Sequence, residues 1–369
     1  MNPLRTPHLP ALAALLALSG DPQTATPRAP TEGMTERRPD LTPELVQAVD
    51  RGLAFLASSQ SIEGSFGPPR ARVAITALSA LAFMAGGHTE GRGRYRSQVG
   101  RALEYLIRCV DRSDPKSVKY GYITAAEDQL SRMHGHGYAL LALAEAIGTT
   151  AGDSPRRKRL REALTLATRL AENGQQQHKD YGGWYYEPKA ERHEGSVTIC
   201  ILEGLRAARN AGLKVDKGVI DRAVEYVRQS QHQETGGFRY EIGSERVSFA
   251  LTAAAVCTLN AAGEYDDPVI HRGLDYMVEH WDKLVKDGEW YYYAGFYAAQ
   301  AFYHAPPQRR LWERFWPKLR ADLLEHQDAR TGSFDYRGTD PEEYGPEYST
   351  AMAMLVLQIP YQYLPIFQR

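Results

Sequence analysis

The stretch PELVQAVDRGLAFLASSQSIEGSF, Pro43 to Phe66, decides the fold. Its first part places Val46, Val49, Leu53 and Leu56 on one stripe, with charged and polar residues around the remainder. That is the pattern of a helix that buries a single face. The run then breaks at Gly64-Ser65-Phe66, a glycine followed within two residues by an aromatic. The same punctuation returns at Gly121-Tyr122, Gly183-Trp184, Gly237-Phe238, Gly288-Glu289-Trp290 and Gly332-Ser333-Phe334, so the aromatics fall every 44 to 62 residues. Six copies at such a period mark an internal repeat.

Downstream of each glycine lies a segment of small and apolar residues nearly all round, among them AITALSALAFMAGG, GYALLALAEAIG, SVTICILEGLRAARNAG, FALTAAAVCTLNAAG, FYAAQAFYHA and STAMAMLVLQI. A helix with one apolar stripe belongs on an outer surface, whereas one that is apolar around its circumference belongs inside. The alternation therefore predicts two concentric layers. Pro43, Pro155 and Pro268 stand where outer helices should open, because a first-turn proline sacrifices no hydrogen bond. Gly86-Gly87, Gly148, Gly212 and Gly263 stand where inner helices should close in the left-handed conformation. Period-two alternation is nearly absent, so little sheet is expected. A linear stack of repeats needs polar caps at its ends. Here the last inner helix is as apolar as the others and runs into YQYLPIFQR, so the expectation is a closed, all-α (α/α)6 toroid in a single domain over residues 34–369.

Composition fits that picture and narrows the partners. Forty-four basic residues stand against 45 acidic ones, a net charge of -1, which leaves no electrostatic footprint for nucleic acid. The cluster Arg156, Arg157, Lys158, Arg159 and Arg161 reads as a solvated helix face. Residues 1–33 differ from the rest. Arg5 precedes the apolar run Leu9 to Leu18, too short to span a bilayer but of the length of a signal-peptide core. Export, for instance to a periplasm, is the expectation, and a cytoplasmic location follows instead if translation starts at Met34. No transmembrane segment is expected. Cys109, Cys200 and Cys257 each sit in an apolar helical pattern with no C-x-x-C spacing, which reads as buried thiols rather than a disulfide framework or metal site.

The pattern R-G-L-x-[FY]-L-x3-Q followed by G-x-[FW], present from Arg51 to Phe66 and more loosely from Arg222 to Phe238, resembles the Gln-Trp repeat of squalene and oxidosqualene cyclases and protein prenyltransferase β subunits. More closely, the chain resembles bacterial prenyltransferase/squalene-oxidase-repeat proteins, whose Tyr-Leu-Pro-Ile-x-Gln-Arg tail is matched by Tyr363 to Arg369. The resemblance implies a toroid with a central funnel that holds an isoprenoid in the relatives. Their catalytic signatures are missing here. There is no D-x-D-D tetrad, Asp266-Asp267 being the only adjacent aspartates. EWYYYAGFYAAQ and GPEYSTAMAML lack the zinc-binding Cys and His of the prenyltransferases. No cysteine begins the Cys-Gly-Glu-Gln of thioester domains. No cofactor and no metal is expected.

In a closed ring the residues opening the inner helices converge on one mouth, where helix N-termini focus positive potential. Glu194 and His136 are the candidate catalytic residues. Arg72, His134, His193, Arg246, Tyr292, Tyr293, Glu347 and Tyr348 are the candidate ligand contacts. Each has a plainer reading. Glu194, Ser196, Ser248, Ser349 and Thr350 could simply cap helices. His134 and His136 are two apart, so on a regular helix they do not share a face. The six repeat aromatics, Trp290 included, are read as packing between repeats. Three functions stay open: a binding protein for an isoprenoid-like or other hydrophobic molecule, with a protein partner not excluded; a cyclase-like or prenyltransferase-like enzyme with a non-standard acid; and a carbohydrate-active enzyme. The last needs two carboxylates across a cleft, drawn from Glu127, Asp128, Glu194, Asp335 and Glu347.

Overall fold

A computed structural model of the chain describes residues 40–150, 152–175, 181–263, 267–338 and 340–368. The expected leader and the alternative start at Met34 lie outside them. The described residues form thirteen α-helices: α1 (Pro43–Ser59), α2 (Arg72–Ala85), α3 (Arg96–Arg108), α4 (Arg132–Thr149), α5 (Pro155–Gln175), α6 (Gly195–Asn210), α7 (Lys217–Gln229), α8 (Phe249–Ala261), α9 (Pro268–Glu279), the short α10 (Asp282–Val285), α11 (Tyr291–His304), α12 (Leu311–Glu325) and α13 (Gly345–Leu357). The named strands among them, β1 (Phe238–Arg239) and β2 (Val247–Ser248), pair antiparallel just before α8. None of the described helices is long and apolar enough to cross a membrane.

Helices α2, α4, α6, α8, α11 and α13 each pack on the next, and α13 returns to pack on α2. The inner layer is therefore a closed ring. In α8 every residue from Phe249 to Asn260 is buried, as an all-apolar helix inside such a ring must be. The outer helices α1, α3, α5, α7, α9 and α12 bury one face each, in α7 through Val219, Ile220, Ala223, Val224, Tyr226 and Val227. In α1 the buried stripe is Leu45, Ala48, Val49, Leu53 and Leu56. Leu45 thus takes the place expected of Val46, which is half-buried.

One joint recurs around the ring. At the end of an outer helix a glutamine amide donates to the glycine carbonyl of its own repeat and to a carbonyl of the following outer helix. Gln231 Nε2 reaches Gly236 O and Val269 O at 2.8 Å each, and Gln175 Nε2 reaches Gly182 O and Val219 O at 2.8 Å. An arginine of that following helix then donates to the amide oxygen, as Arg222 Nη2 does to Gln175 at 2.7 Å. The last and first repeats meet through the same set: Gln327 Nε2 bonds Gly332 O at 3.0 Å and Ala48 O at 2.8 Å, and Arg51 Nη2 bonds Gln327 Oε1 at 2.7 Å. Gln358 Nε2 adds a bond to Ala82 O at 2.9 Å across the inner seam. Closure thus uses the chemistry of the internal joints.

The repeat aromatics are held from behind by a threonine in the following inner helix. Phe66, Phe238 and Phe334 donate their backbone N–H to Thr76, Thr252 and Thr350 at 2.9 Å, and Trp184 to Thr198 at 3.0 Å. Trp290 departs from the expectation of a packing role. It is 39% exposed, sits at the head of α11 with φ 48°, and is not buried between repeats. Gly148 also departs, lying inside α4, while Gly87, Gly212 and Gly263 take the left-handed φ expected after inner helices.

Candidate functional site

The starts of the inner helices surround a cavity of about 390 Å³. Ile75 and Leu78 of α2 and Leu251 of α8 give it apolar walls. Tyr138 of α4, Tyr186 before α6, Tyr240 in the β1–β2 loop, Trp290 and Tyr293 of α11, and Tyr344 and Tyr348 around the start of α13 bring seven aromatic rings to it. Two guanidiniums, Arg132 and Arg246, also line it, each exposed and each over a tyrosine face, Arg132 over Tyr186 at 5.6 Å and Arg246 over Tyr240 at 5.8 Å. Among the described residues no carboxylate lines this cavity. Two of the lining residues, Arg132 and Trp290, hold left-handed backbone without being glycine, a costly conformation that tends to gather at functional sites.

A hydrogen-bonded relay opens onto the cavity. His134 Nε2 lies 2.7 Å from Ser196 Oγ, which donates to Glu194 Oε2 at 2.8 Å. The hydroxyl has one proton, so when it is given to an ionised Glu194, His134 Nε2 must carry its hydrogen and donate to Ser196. Burial, with the charge of Arg132 nearby, lowers the His134 pKa to about 4 and keeps the ring neutral at physiological pH. Glu194 is fully buried and caps α6, accepting also from Ser196 N at 2.9 Å and Val197 N at 2.8 Å. Burial raises its pKa, and those donors oppose the rise. The carboxylate stands one bond behind the cavity wall, not in it.

Of the ten candidates, the structure brings His134, Arg246, Tyr293 and Tyr348 to the cavity and sets Glu194 behind Ser196. The other five lie elsewhere. His136 accepts from Ile123 N at 3.2 Å and faces Ala167 O at 3.1 Å with its other nitrogen, which puts it in the structural place that threonine occupies in other repeats. Two residues further round α4 than His134, it points away. Arg72, the first residue of α2, does not line the cavity. His193 stacks edge-on with Tyr181 and Tyr226 and reaches the Tyr226 hydroxyl at 3.1 Å. Tyr292 donates its hydroxyl to Asp335 O at 2.8 Å, and Glu347 is half-buried outside the lining. None of the five carboxylates weighed for a carbohydrate mechanism lines the cavity. Among the expected caps, Ser248 and Glu194 do cap, whereas Ser196 bridges to His134 and Thr350 secures Phe334.

The glycines of His134-Gly135-His136-Gly137 serve packing. A Cβ on Gly137 would meet the Cys200 carbonyl at 2.7 Å, and one on Gly204 would meet Gly137 O at 2.8 Å, so α4 and α6 touch backbone to backbone. That close approach brings Ser196 within reach of His134. Tyr186 and Tyr240, whose hydroxyls bond to each other, come from loops that carry no periodic signal, and neither stands among the ten candidates. Tyr138 could have been found, since it lies one helical turn after His134.

No protein-family model matches the chain, and no curated protein matches its sequence. Solved structures do match in fold. A cellobiose 2-epimerase from Bacillus thermoamylovorans aligns with TM-score 0.64 at 14% identity, over 86% of this chain and 99% of that one. A D-mannose isomerase aligns with TM-score 0.60 at 12% identity, over 86% and 98%. The type II terpene cyclase MstE from Scytonema, in complex with geranylgeranyl dihydroxybenzoate, aligns at 0.55 and 17%, over 88% and 99%. The chain is an (α/α)6 toroid of the architecture shared by terpene cyclases and by enzymes acting on sugars.

Proposed function

We propose that this toroid binds an elongated apolar molecule with an acidic head, of which an isoprenoid diphosphate or an isoprenoid acid is the type. The observation that carries the reading is the lining itself: seven aromatic rings and two arginines, with no carboxylate among the described residues. An apolar tail gains by leaving water for the tyrosine-lined interior. Arg132 and Arg246 then meet an anionic head at the rim, where guanidinium groups bond such oxygens in pairs. Arg132 also pairs with Glu187 at 3.8 Å, so Arg246 is the charge that a neutral sugar would leave unused, and a glycosidase pair of acids has no place on this wall. The likeness of fold to MstE, a terpene cyclase in complex with geranylgeranyl dihydroxybenzoate, supports the reading.

Native mass spectrometry of the purified protein, followed by titration with geranylgeranyl diphosphate and with geranylgeraniol, tests the reading. Retention of an isoprenoid, or tighter binding of the diphosphate than of the alcohol, is the expected result. Preference for the neutral alcohol, or for a disaccharide over both, would sink it.

One observation favours catalysis on top of binding, namely the relay from the cavity wall through His134 and Ser196 to Glu194. It can carry a proton between a bound molecule and a buried carboxyl whose affinity for protons burial has raised. Under this reading, incubation with a prenyl diphosphate gives a product whose formation stops in Glu194→Gln while ligand binding persists.

A further inference from the structure

At the opposite end of the ring, where the inner helices finish, lies a second cavity of about 240 Å³. It is walled by the last turns of α4, α6, α8 and α11 and flanked by Pro365, Ile366 and Gln368 of the tail. Its polar lining differs in kind from that of the first cavity. Glu145 of α4 and Glu203 of α6 supply two carboxyls, and Arg206 and His304 supply a guanidinium and an imidazole. Glu203 is already oriented, accepting from Thr258 Oγ1 and from the Tyr297 hydroxyl at 3.1 Å each.

Two groups in this wall are buried without a partner among the described residues. Glu145 is 5% exposed and its Oε2 accepts no hydrogen bond, while Asn260 is 2% exposed and its Nδ2 donates none. A buried polar group left unpaired is costly, and folded proteins rarely tolerate one without reason. Here an orphaned acceptor and an orphaned donor line the same cavity. A ligand that satisfies both must offer a donor to Glu145 and an acceptor to Asn260. The carboxyls add a preference for a positive donor, and the helix C-termini, with their partial negative charge, add to it. Arg206 and His304 favour an acceptor that is negative.

We propose that the second cavity binds a small zwitterion of the amino-acid class, its ammonium group against Glu145 and Glu203 and its carboxylate toward Asn260, Arg206 and His304. The cavity's size agrees, since it falls below the roughly 300–1,000 Å³ of pockets for drug-sized molecules. Burial pushes both carboxyls up to about 8, so they are largely protonated while no cation is present. An arriving ammonium then displaces their protons into solvent. This inference does not rest on the reading of the first cavity, since no residue lines both.

Isothermal titration of the full chain with the standard amino acids one at a time is the test, each binder being paired with its 2-hydroxy acid and with the amine that lacks the carboxylate. At least one amino acid should bind, with both partners about tenfold weaker or worse. Glu145→Gln, which keeps the side-chain volume, should weaken the amino acid by about tenfold. Should that variant fail to give the wild-type circular-dichroism spectrum, Glu203→Gln is read in its place with the same expectation. Binding of no amino acid overturns the proposal, as does equal binding of the hydroxy acid, equal or tighter binding of a polyol such as glycerol, or an affinity unchanged in the folded variants.

Discussion

Gly332 presses against the backbone carbonyl of Arg51. With φ +78° it holds a conformation that costs an L side chain about 1–2 kcal/mol, and a Cβ placed there would stand 2.5 Å from the Arg51 oxygen. These two residues, from the sixth repeat and the first, touch at the seam where the row of helix pairs closes into a ring.

Gly332→Ala should therefore destabilise by both strain and clash, about 3 kcal/mol in urea unfolding. Gly263→Ala is the control, because Gly263 also has positive φ but its Cβ would meet open space. A loss there of about 1 kcal/mol, against the larger loss at Gly332, separates closure from backbone strain. Equal losses would mean that the close approach of Gly332 to Arg51 adds nothing beyond backbone strain.

Gln231 is fully buried and serves three groups at once, the carbonyls of Gly236 and Val269 and the guanidinium of Arg272. Gln231→Leu keeps most of the volume, strands the two carbonyls and leaves Arg272 with Gln233 O as its acceptor, which should cost about 2–4 kcal/mol. A loss below about 1 kcal/mol would show that the joint is ornamental to the ring's stability.

Stability should fall as pH rises from neutrality. Glu145 and Glu203 keep their protons in the folded protein up to about 8, and Asp340 up to about 7, whereas the unfolded chain gives them up near 4. The folded state thus holds more protons, and its advantage shrinks with each step up in pH across that window. His88, His134 and His136 act in the opposite sense. Burial lowers each to about 4, so the unfolded chain alone takes up protons below 6.5 and the fold is weakened as pH drops from there. The two sets oppose one another between about 4 and 6.5, and the carboxyls act alone above it. Urea midpoints should pass through a maximum on the acid side of neutrality. Glu145→Gln should add on the order of 2 kcal/mol at pH 8 and nothing near pH 4; a gain independent of pH would contradict the assignment.

Arg246 is exposed at the rim of the first cavity, so removing it should leave the fold unchanged. Arg246→Ala should weaken a prenyl diphosphate by roughly 1.5–3 kcal/mol and the matching alcohol hardly at all. A uniform loss for both ligands would shift the role of this residue from head-group recognition to shaping the wall.

The ring was legible because its two signals are redundant: a glycine before each aromatic, and a following helix without a polar face. The site was legible only in part. Helix starts do converge on one mouth, but each successive residue turns by about 100° around its axis. His134 therefore faces inward while His136 faces the outer layer, and Tyr293 lines the wall while Tyr292 turns to Asp335. Which of two neighbours points in depends on the phase of the helix against its partners, and a run of small residues does not record that phase. Glu194 reads from sequence as either acid or cap, and it is a cap that also touches the relay. Trp290 was misjudged because its repeat lacks the regular joint: Gly288 presses on Gly338 instead of on an outer helix.

The seam between the sixth and first repeats carries the same bonds as the joints at Gln175 and Gln231, so the natural termini hold no privileged place in the circle. A gene rearranged to begin at α3 or α7, with Gln368 tethered to Asp40 by a flexible linker, would encode the same wheel with a different spoke read first, giving a biosensor or a fused reporter an opening at either place.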